Sequence, residues 1–286
     1  TDADMGYVLG LPLIVKGNND EVLAVVPNGI DSTNGHAVLY IYDVTDGSQI
    51  AKIDTGVGGS NGLSSPRAAD MNADGKADYI YAGDLRGNVW KFDVSSADAG
   101  DWAVGLGGSP LFTATDADGN PQPITGGLAL ARESANPRIW VTFGTGRLIS
   151  ISDMASTDVQ TWYGIIDNNS TTIDGRDDLT ERDIAIVGTN AQGRSVRAFE
   201  EHAVLPAGSR GWFIDLDEPT PGERVVSGAR VNGRAARHRL ARHGGYRMTT
   251  PAILPERGLA DRLTAFFWRR PKVFLAVLLA PESMRQ

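Results

Sequence analysis

Apolar positions along the chain come in short runs closed by turn residues, not at helical spacing. Four segments end alike, with an aromatic, a short apolar stretch and then aspartate: Tyr40-Ile41-Tyr42-Asp43, Trp90-Lys91-Phe92-Asp93, Tyr163-Gly164-Ile165-Ile166-Asp167 and Trp212-Phe213-Ile214-Asp215. The aspartates lie 50, 74 and 48 residues apart. Before three of them stands an apolar run closed by glycine: Val22 to Gly29, Tyr79 to Gly83 and Ile139 to Gly144. Earlier still come the proline-marked segments Leu11 to Val15, Pro66 to Ala69 and Pro123 to Leu130. Each unit therefore reads as strand, turn, strand, turn, strand, at the period of one propeller blade. A blade cannot bury both of its faces alone, and stacking around an axis buries them, so such a unit has to recur. The pattern predicts an all-β fold, a partial β-propeller of three to five antiparallel blades, with Tyr40, Trp90, Tyr163 and Trp212 at equivalent strand positions. The longer second interval predicts an insertion over 95–120, a stretch rich in Gly, Asp and Ala. An all-β sandwich with accidental spacing is the competing architecture.

Composition supports this reading. Apolar residues make 41% of the chain, which argues against a disordered or fibrous protein, and 34 glycines with 14 prolines suit many short strands joined by turns. Cysteine is absent, which excludes disulfide scaffolds, thiolate metal sites and cysteine nucleophiles. The longest apolar run, Val273 to Ala280, is eight residues, against about 20 for a membrane-spanning helix. The opening Thr1-Asp2-Ala3-Asp4 lacks an initiator methionine and a basic-then-apolar leader, and reads as part of a longer protein.

Charge divides the chain. Residues 1–223 carry 14 Lys/Arg against 32 Asp/Glu, and residues 224–286 carry 13 against 3. The acidic body would repel nucleic acid and anionic membranes. The pattern thus predicts a propeller over residues 5–227 and a basic segment over 228–286. Arginine, alanine, glycine and proline dominate that segment, as in out-of-frame translation of GC-rich coding DNA. A basic arm, or a terminal extension packing through Phe266, Phe267, Trp268 and Phe274, is the alternative. Crowded arginines predict a mobile or loosely helical tail without alternating strands.

The strongest chemical signal is Asp70-Met71-Asn72-Ala73-Asp74-Gly75-Lys76-Ala77-Asp78. Side-chain oxygens fall at loop positions 1, 3, 5 and 9, Lys76 offers a backbone carbonyl at position 7, and Gly75 permits the sharp turn. Calcium takes six to eight oxygen ligands in flexible geometry, and this alternation supplies them. Position 12 is Tyr81 rather than glutamate and the flanks read as strand, so the loop is no EF-hand, and Asp78 becomes the expected bidentate ligand. A metal-free Asx-turn hairpin is the alternative. Asp116-Ala117-Asp118-Gly119-Asn120 offers only two carboxylates and reads as a hairpin turn between Phe112 and Ile124. His36, His202, His238 and His243 read as exposed or structural, and no nucleophile elbow, phosphate loop or His-Glu-x-x-His motif occurs.

Leu63-Ser64-Ser65-Pro66, the aspartate loop, and the block from Tyr81 to Asp93 together resemble the C-terminal β-propeller of the PilY family of type IV pilus proteins. Gln122-Pro123-Ile124-Thr125, Phe143-Gly144-Thr145-Gly146-Arg147, Tyr163 to Asp167 and Gly211 to Leu216 keep the family's order, so the resemblance covers about residues 5–227. It implies a non-enzymatic protein of the pilus tip or outer-membrane surface, exported through the periplasm. Implied roles are pilus assembly, extension against retraction, twitching motility and adhesion. Its implied partners are pilus components such as minor pilins, and host or abiotic surfaces. It also implies a calcium site, with Asp70, Asn72, Asp74 and Asp78 as side-chain ligands and Lys76 as the backbone one. A quinoprotein dehydrogenase, whose calcium ligands come from separate blades, and an integrin-type propeller, with a loop in several blades, are the rival readings.

Overall fold

The computed structural model describes residues 2–133, 138–193, 195–199, 204–218, 221–232, 235–242 and 245–249. Three successive sheets carry the architecture. The first is the meander β1 (Leu13–Lys16), β2 (Val22–Pro27), β3 (Val38–Asp43) and β4 (Gln49–Asp54), antiparallel throughout. The second runs β5 (Arg67–Ala69), β6 (Tyr79–Gly83) and β7 (Asn88–Asp93), then β8 (Ala103–Val104) and β9 (Phe112–Thr113), both of which pair with β7. The third begins β10 (Ala129–Arg132), β11 (Ile139–Gly144) and β12 (Thr161–Asp167). It continues, past β13 (Thr180–Glu181), β14 (Ile184–Thr189) and β15 (Ser195–Phe199), with β16 (Gly211–Asp215) on the free edge of β12. β13 adds to β16 in parallel, and β14 and β15 form a separate hairpin.

The expected blades are thus present, and each gains a fourth strand; in the first two blades the repeat did not show it. One expectation needs correction. Tyr40, Trp90 and Tyr163 sit on the third strands β3, β7 and β12, but Trp212 lies on β16, the fourth strand of the third sheet, directly opposite Gly164. An aromatic-x-x-Asp ending marks where a strand leaves the sheet, whichever strand it is. The ring of Trp212 covers Gly164 so closely that a Cβ there would stand 2.4 Å from Trp212 Cε2. Trp212 also meets Trp162 edge-on at 5.4 Å. The expected insertion over 95–120 splits the second sheet's fourth strand into β8 and β9. Part of the extra length lies elsewhere, between β11 and β12: residues 145–160 fill that connection, whereas Asp84 to Gly87 suffice between β6 and β7.

Period-2 alternation sends each strand's side chains to two different neighbours. On β6 and β7, Ile80, Ala82, Trp90 and Phe92 join Leu23, Val25, Leu39 and Ile41 of the first sheet in one buried cluster. Tyr81 and Val89 face the other way, into a cluster with Phe112, Val141, Phe143, Tyr163 and Ile165. In that cluster Phe112 and Phe143 each lie 5.1 Å from the ring of Tyr163. Lys91 shares the face of Val89, so its ammonium is carried into the seam between the second and third sheets. There it meets Asp167 Oδ2 at 2.7 Å, with 3% and 1% of the two side chains exposed.

A second buried carboxylate fixes the β6–β7 turn. Asp84 is fully buried and accepts from the backbone amides of Arg86 and Asn88, from Asn61 Nδ2, from Asn88 Nδ2 and from Trp90 Nε1, at 2.8 to 2.9 Å. Five donors replace the water the carboxylate loses on burial. Gly87 closes this turn at φ 83°, a conformation other residues adopt only with strain.

Beyond the third sheet, β17 (Arg224–Val225), β18 (Arg230–Asn232), β19 (Ala235–Arg242) and β20 (Gly245–Thr249) pair antiparallel. This corrects the expectation of a loosely helical tail without alternating strands, at Arg230–Asn232, Ala235–Arg242 and Gly245–Thr249. Strand formation depends on a backbone edge to pair with, and β17 supplies one. Residues 250–286, with Phe266, Phe267, Trp268 and Phe274, lie outside the described residues.

Asp84→Ala should lower stability by at least about 3 kcal/mol, because three buried side-chain donors lose their acceptor together. Denaturant unfolding followed by tryptophan fluorescence measures it, since Trp90 is one of those donors.

Candidate metal centre

The aspartate loop spans the turn between β5 and β6. Its side chains first serve its own backbone. Asp70 accepts from the amides of Ala73 at 2.6 Å and Gly75 at 2.8 Å. Asn72 Oδ1 accepts from Asp74, Asp74 Oδ1 from Lys76, each at 2.9 Å, and Asp78 Oδ2 from Met71 at 2.6 Å. The chain can curl this tightly because Ala73 and Gly75 take φ of 63° and 85°. Asp78 is buried at the foot of the hairpin, and its backbone pairs with Ala69 and Val94. Asp70 is half-buried and Asn72 and Asp74 are exposed.

The loop is also fastened to the first sheet. The amide of Ala77 donates to the carbonyl of Lys16 at 2.9 Å. Asn18 Nδ2, in the β1–β2 turn, donates to the carbonyls of Ala77 at 2.9 Å and Val94 at 3.2 Å. Lys76 Nζ pairs with Asp20 at 2.7 Å, and that hydrogen bond holds the ammonium above its usual range. Asp20 is largely exposed, so the ion pair itself adds little stability. The backbone and amide ties hold the seam.

All five residues singled out from the sequence, Asp70, Asn72, Asp74, Lys76 and Asp78, therefore occupy one loop. Asp74 and Asp78 each commit one oxygen to loop amides, and the carbonyl of Lys76 faces no strand partner. Three carboxylates, one side-chain amide and one carbonyl make an all-oxygen donor set that suits calcium. The carboxylates do not converge: no group of three or more His, Asp or Glu side chains among the described residues stands close enough to hold a metal ion. The second acidic stretch is a turn. Asp116 accepts from Asp118 and from both nitrogens of Asn120 at 2.8 to 3.0 Å, and Thr115 bridges Pro121. Among the histidines, His36 Nδ1 lies 2.9 Å from Asp54, on the surface.

Sequence reasoning missed the anchors Asn18 and Asp20 and the buried carboxylates Asp84 and Asp167. The loop anchors carry no signal, because they meet the loop only through folding. Lys91 did carry one: a lysine in phase with Val89 on a strand with a buried face calls for a buried counter-charge.

The chain matches the PilY1 beta-propeller domain over residues 1–184, a span that holds the loop and all three third strands. It belongs to the PilY1 β-propeller family. A type IV pilus biogenesis factor PilY1 homolog of Xylella fastidiosa is 36% identical over 251 residues, covering 81% of this chain and 17% of that protein. The type IV pilus biogenesis factor PilY1 of Pseudomonas aeruginosa is 38% identical over 189 residues, covering 59% and 16%. The chain thus spans less than a fifth of these relatives. The crystal structure of the Pseudomonas aeruginosa PilY1 C-terminal domain matches with a TM-score of 0.76 and 32% identity, over 85% of this chain and 57% of that one. These relatives are named as pilus biogenesis factors, not enzymes. No helix among the described residues is long and apolar enough to cross a membrane.

Gly75→Ala should destabilise the loop by about 1–2 kcal/mol through its left-handed backbone alone. The space around a Cβ at Gly75 is open, so no clash contributes. Denaturant midpoints of the two proteins give the difference, and Gly75→Asn should recover part of it.

Proposed function

We propose that this chain is the calcium-binding propeller of a type IV pilus biogenesis factor, working at the pilus tip or the outer-membrane surface. Asp70, Asn72, Asp74 and Asp78 would hold the ion through side chains and Lys76 through its carbonyl. Bound calcium would draw together and neutralise three carboxylates that share one turn. The observation that carries the reading is this loop: a full oxygen donor set on nine consecutive residues, in a family of pilus factors, pinned to the neighbouring blade. Metal occupancy then sets the rigidity of the seam between the first two blades. The propeller passes that state to pilus components, among them minor pilins, and so biases extension against retraction and attachment to host or abiotic surfaces. Recognition resides in exposed loops on a rigid scaffold, with no catalytic step.

Thermal unfolding in excess chelator and then in millimolar calcium tests the proposal. If calcium binds only the folded loop, a hundredfold excess over Kd should stabilise by about 2.7 kcal/mol. Calorimetry should give a Kd between roughly 10⁻⁷ and 10⁻³ M, with magnesium competing poorly because it demands a smaller octahedral shell. Asp74→Ala and Asp78→Ala should abolish both effects, and Asp116→Ala should keep them. In cells, the two loop variants should shift pilus extension or retraction. An unchanged melting temperature with no heat of binding would overturn the proposal.

A further inference from the structure

The seam between the second and third blades holds three groups whose chemistry goes beyond packing. Lys91 Nζ lies 2.7 Å from Asp167 Oδ2 and contacts Asn169 Oδ1. Asp167 also accepts from Tyr81 Oη at 2.7 Å and, through Oδ1, from the amide of Asn169 at 2.7 Å. The Lys91 ammonium sits over the Tyr79 ring at 4.0 Å. Burial, and then the charge of Asp167, push the Tyr81 hydroxyl far above its usual range, so it stays a donor. A primary amine, a carboxylate and a carboxamide thus meet where the amine and the carboxylate are almost wholly shielded from water. Asn169 stands in an exposed turn just past β12, at φ 65°, a conformation asparagine tolerates.

We propose that Lys91 and Asn169 are the two halves of an intramolecular amide cross-link, formed by the chain itself with Asp167 as the catalytic acid–base. Asp167 takes a proton from the Lys91 ammonium, leaving a neutral amine. The Nζ lone pair attacks Asn169 Cγ and forms the new C–N bond. A proton passes from Nζ to Nδ2, the Cγ–Nδ2 bond breaks, and ammonia leaves through the exposed turn. Asp167 gives its proton to the departing ammonia and is again a carboxylate. The balance is one ammonium and one carboxamide in, one secondary amide and one ammonium ion out, with no oxidant and no co-reactant. Holding amine and carboxamide in contact makes the attack unimolecular, and positioned proton transfer by Asp167 lowers its barrier. The product would tie β7 covalently to the end of β12, closing the second blade onto the third independently of the aspartate loop. A chain under traction gains from such a bond, since it cannot slide apart at that seam.

Intact-mass measurement of the purified 286-residue chain, followed by tandem mass spectrometry of a protease digest, tests it. The expected result is a mass lower than the sequence mass by one ammonia, with a branched peptide joining Lys91 to Asn169. Lys91→Arg and Asp167→Asn should both restore the full mass. Either could unfold the seam, so Asn169→Gly is the second variant. It leaves the buried pair intact, suits the left-handed turn, and should also show the full mass. A wild-type mass equal to the sequence, with Lys91 recovered in linear peptides, overturns the proposal. So does loss of ammonia without the branched peptide, or a branched peptide joining Lys91 to Asp167 with loss of water.

Discussion

A four-stranded sheet has two faces, and in a propeller each must be covered by a different neighbour. That constraint governs the rest of this molecule. It makes β6 and β7 apolar on both sides, with Ile80, Trp90 and Phe92 turned to the first blade and Tyr81 and Val89 to the third. It also removes the solvent side on which a strand usually keeps its charges. Lys91, placed by the alternation on a buried face, therefore needs Asp167 from the next blade, and Asp84 needs five donors around its turn. Removing one partner of the Lys91–Asp167 pair would leave an uncompensated buried charge between the two blades.

The two seams of the central blade differ in kind. Toward the third blade, contact is an aromatic cluster with one buried ion pair. Toward the first blade, the apolar cluster is extended at one end by hydrogen bonds that join Lys16 and the Asn18 side chain to Ala77 and Val94. The ties at Ala77 attach to the loop that carries the oxygen donors. A cation held there would act on a joint between blades and not on an isolated hairpin. On the proposed reading, an ion bound there would stiffen or loosen that joint.

Much of this was legible in the sequence because blades repeat. Asp43, Asp93 and Asp167 end equivalent strands, and the glycine-closed runs before them are β2, β6 and β11. The fourth strands were not legible as members of their blades. β8 and β9 are two residues each, and β16 lies 43 residues past the end of β12, from Asp167 to Gly211 less the strand ends, so only long-range pairing identifies it. Trp212-Phe213-Ile214-Asp215 shows the limit most clearly: it has the right local pattern and belongs to the third blade all the same. The aspartate loop was readable residue by residue, since nine consecutive positions contain the whole donor set. Its anchorage was not, because Asn18 lies 59 and 76 residues from the carbonyls it binds. Strands β18 to β20 were not legible, because an arginine-rich composition carries no strand signal and the edge of β17 exists only in the folded chain.

The central claim is that the aspartate loop locks the first blade to the second when it holds calcium. Amide hydrogen exchange, read by mass spectrometry with and without calcium, tests it most directly. Exchange should slow on calcium addition in two separated stretches, residues 67–83 around the loop and residues 13–24 around the β1–β2 turn, while residues 139–167 stay unchanged. Protection confined to residues 70–78 would contradict the claim, because the ion would then order a turn without joining two blades.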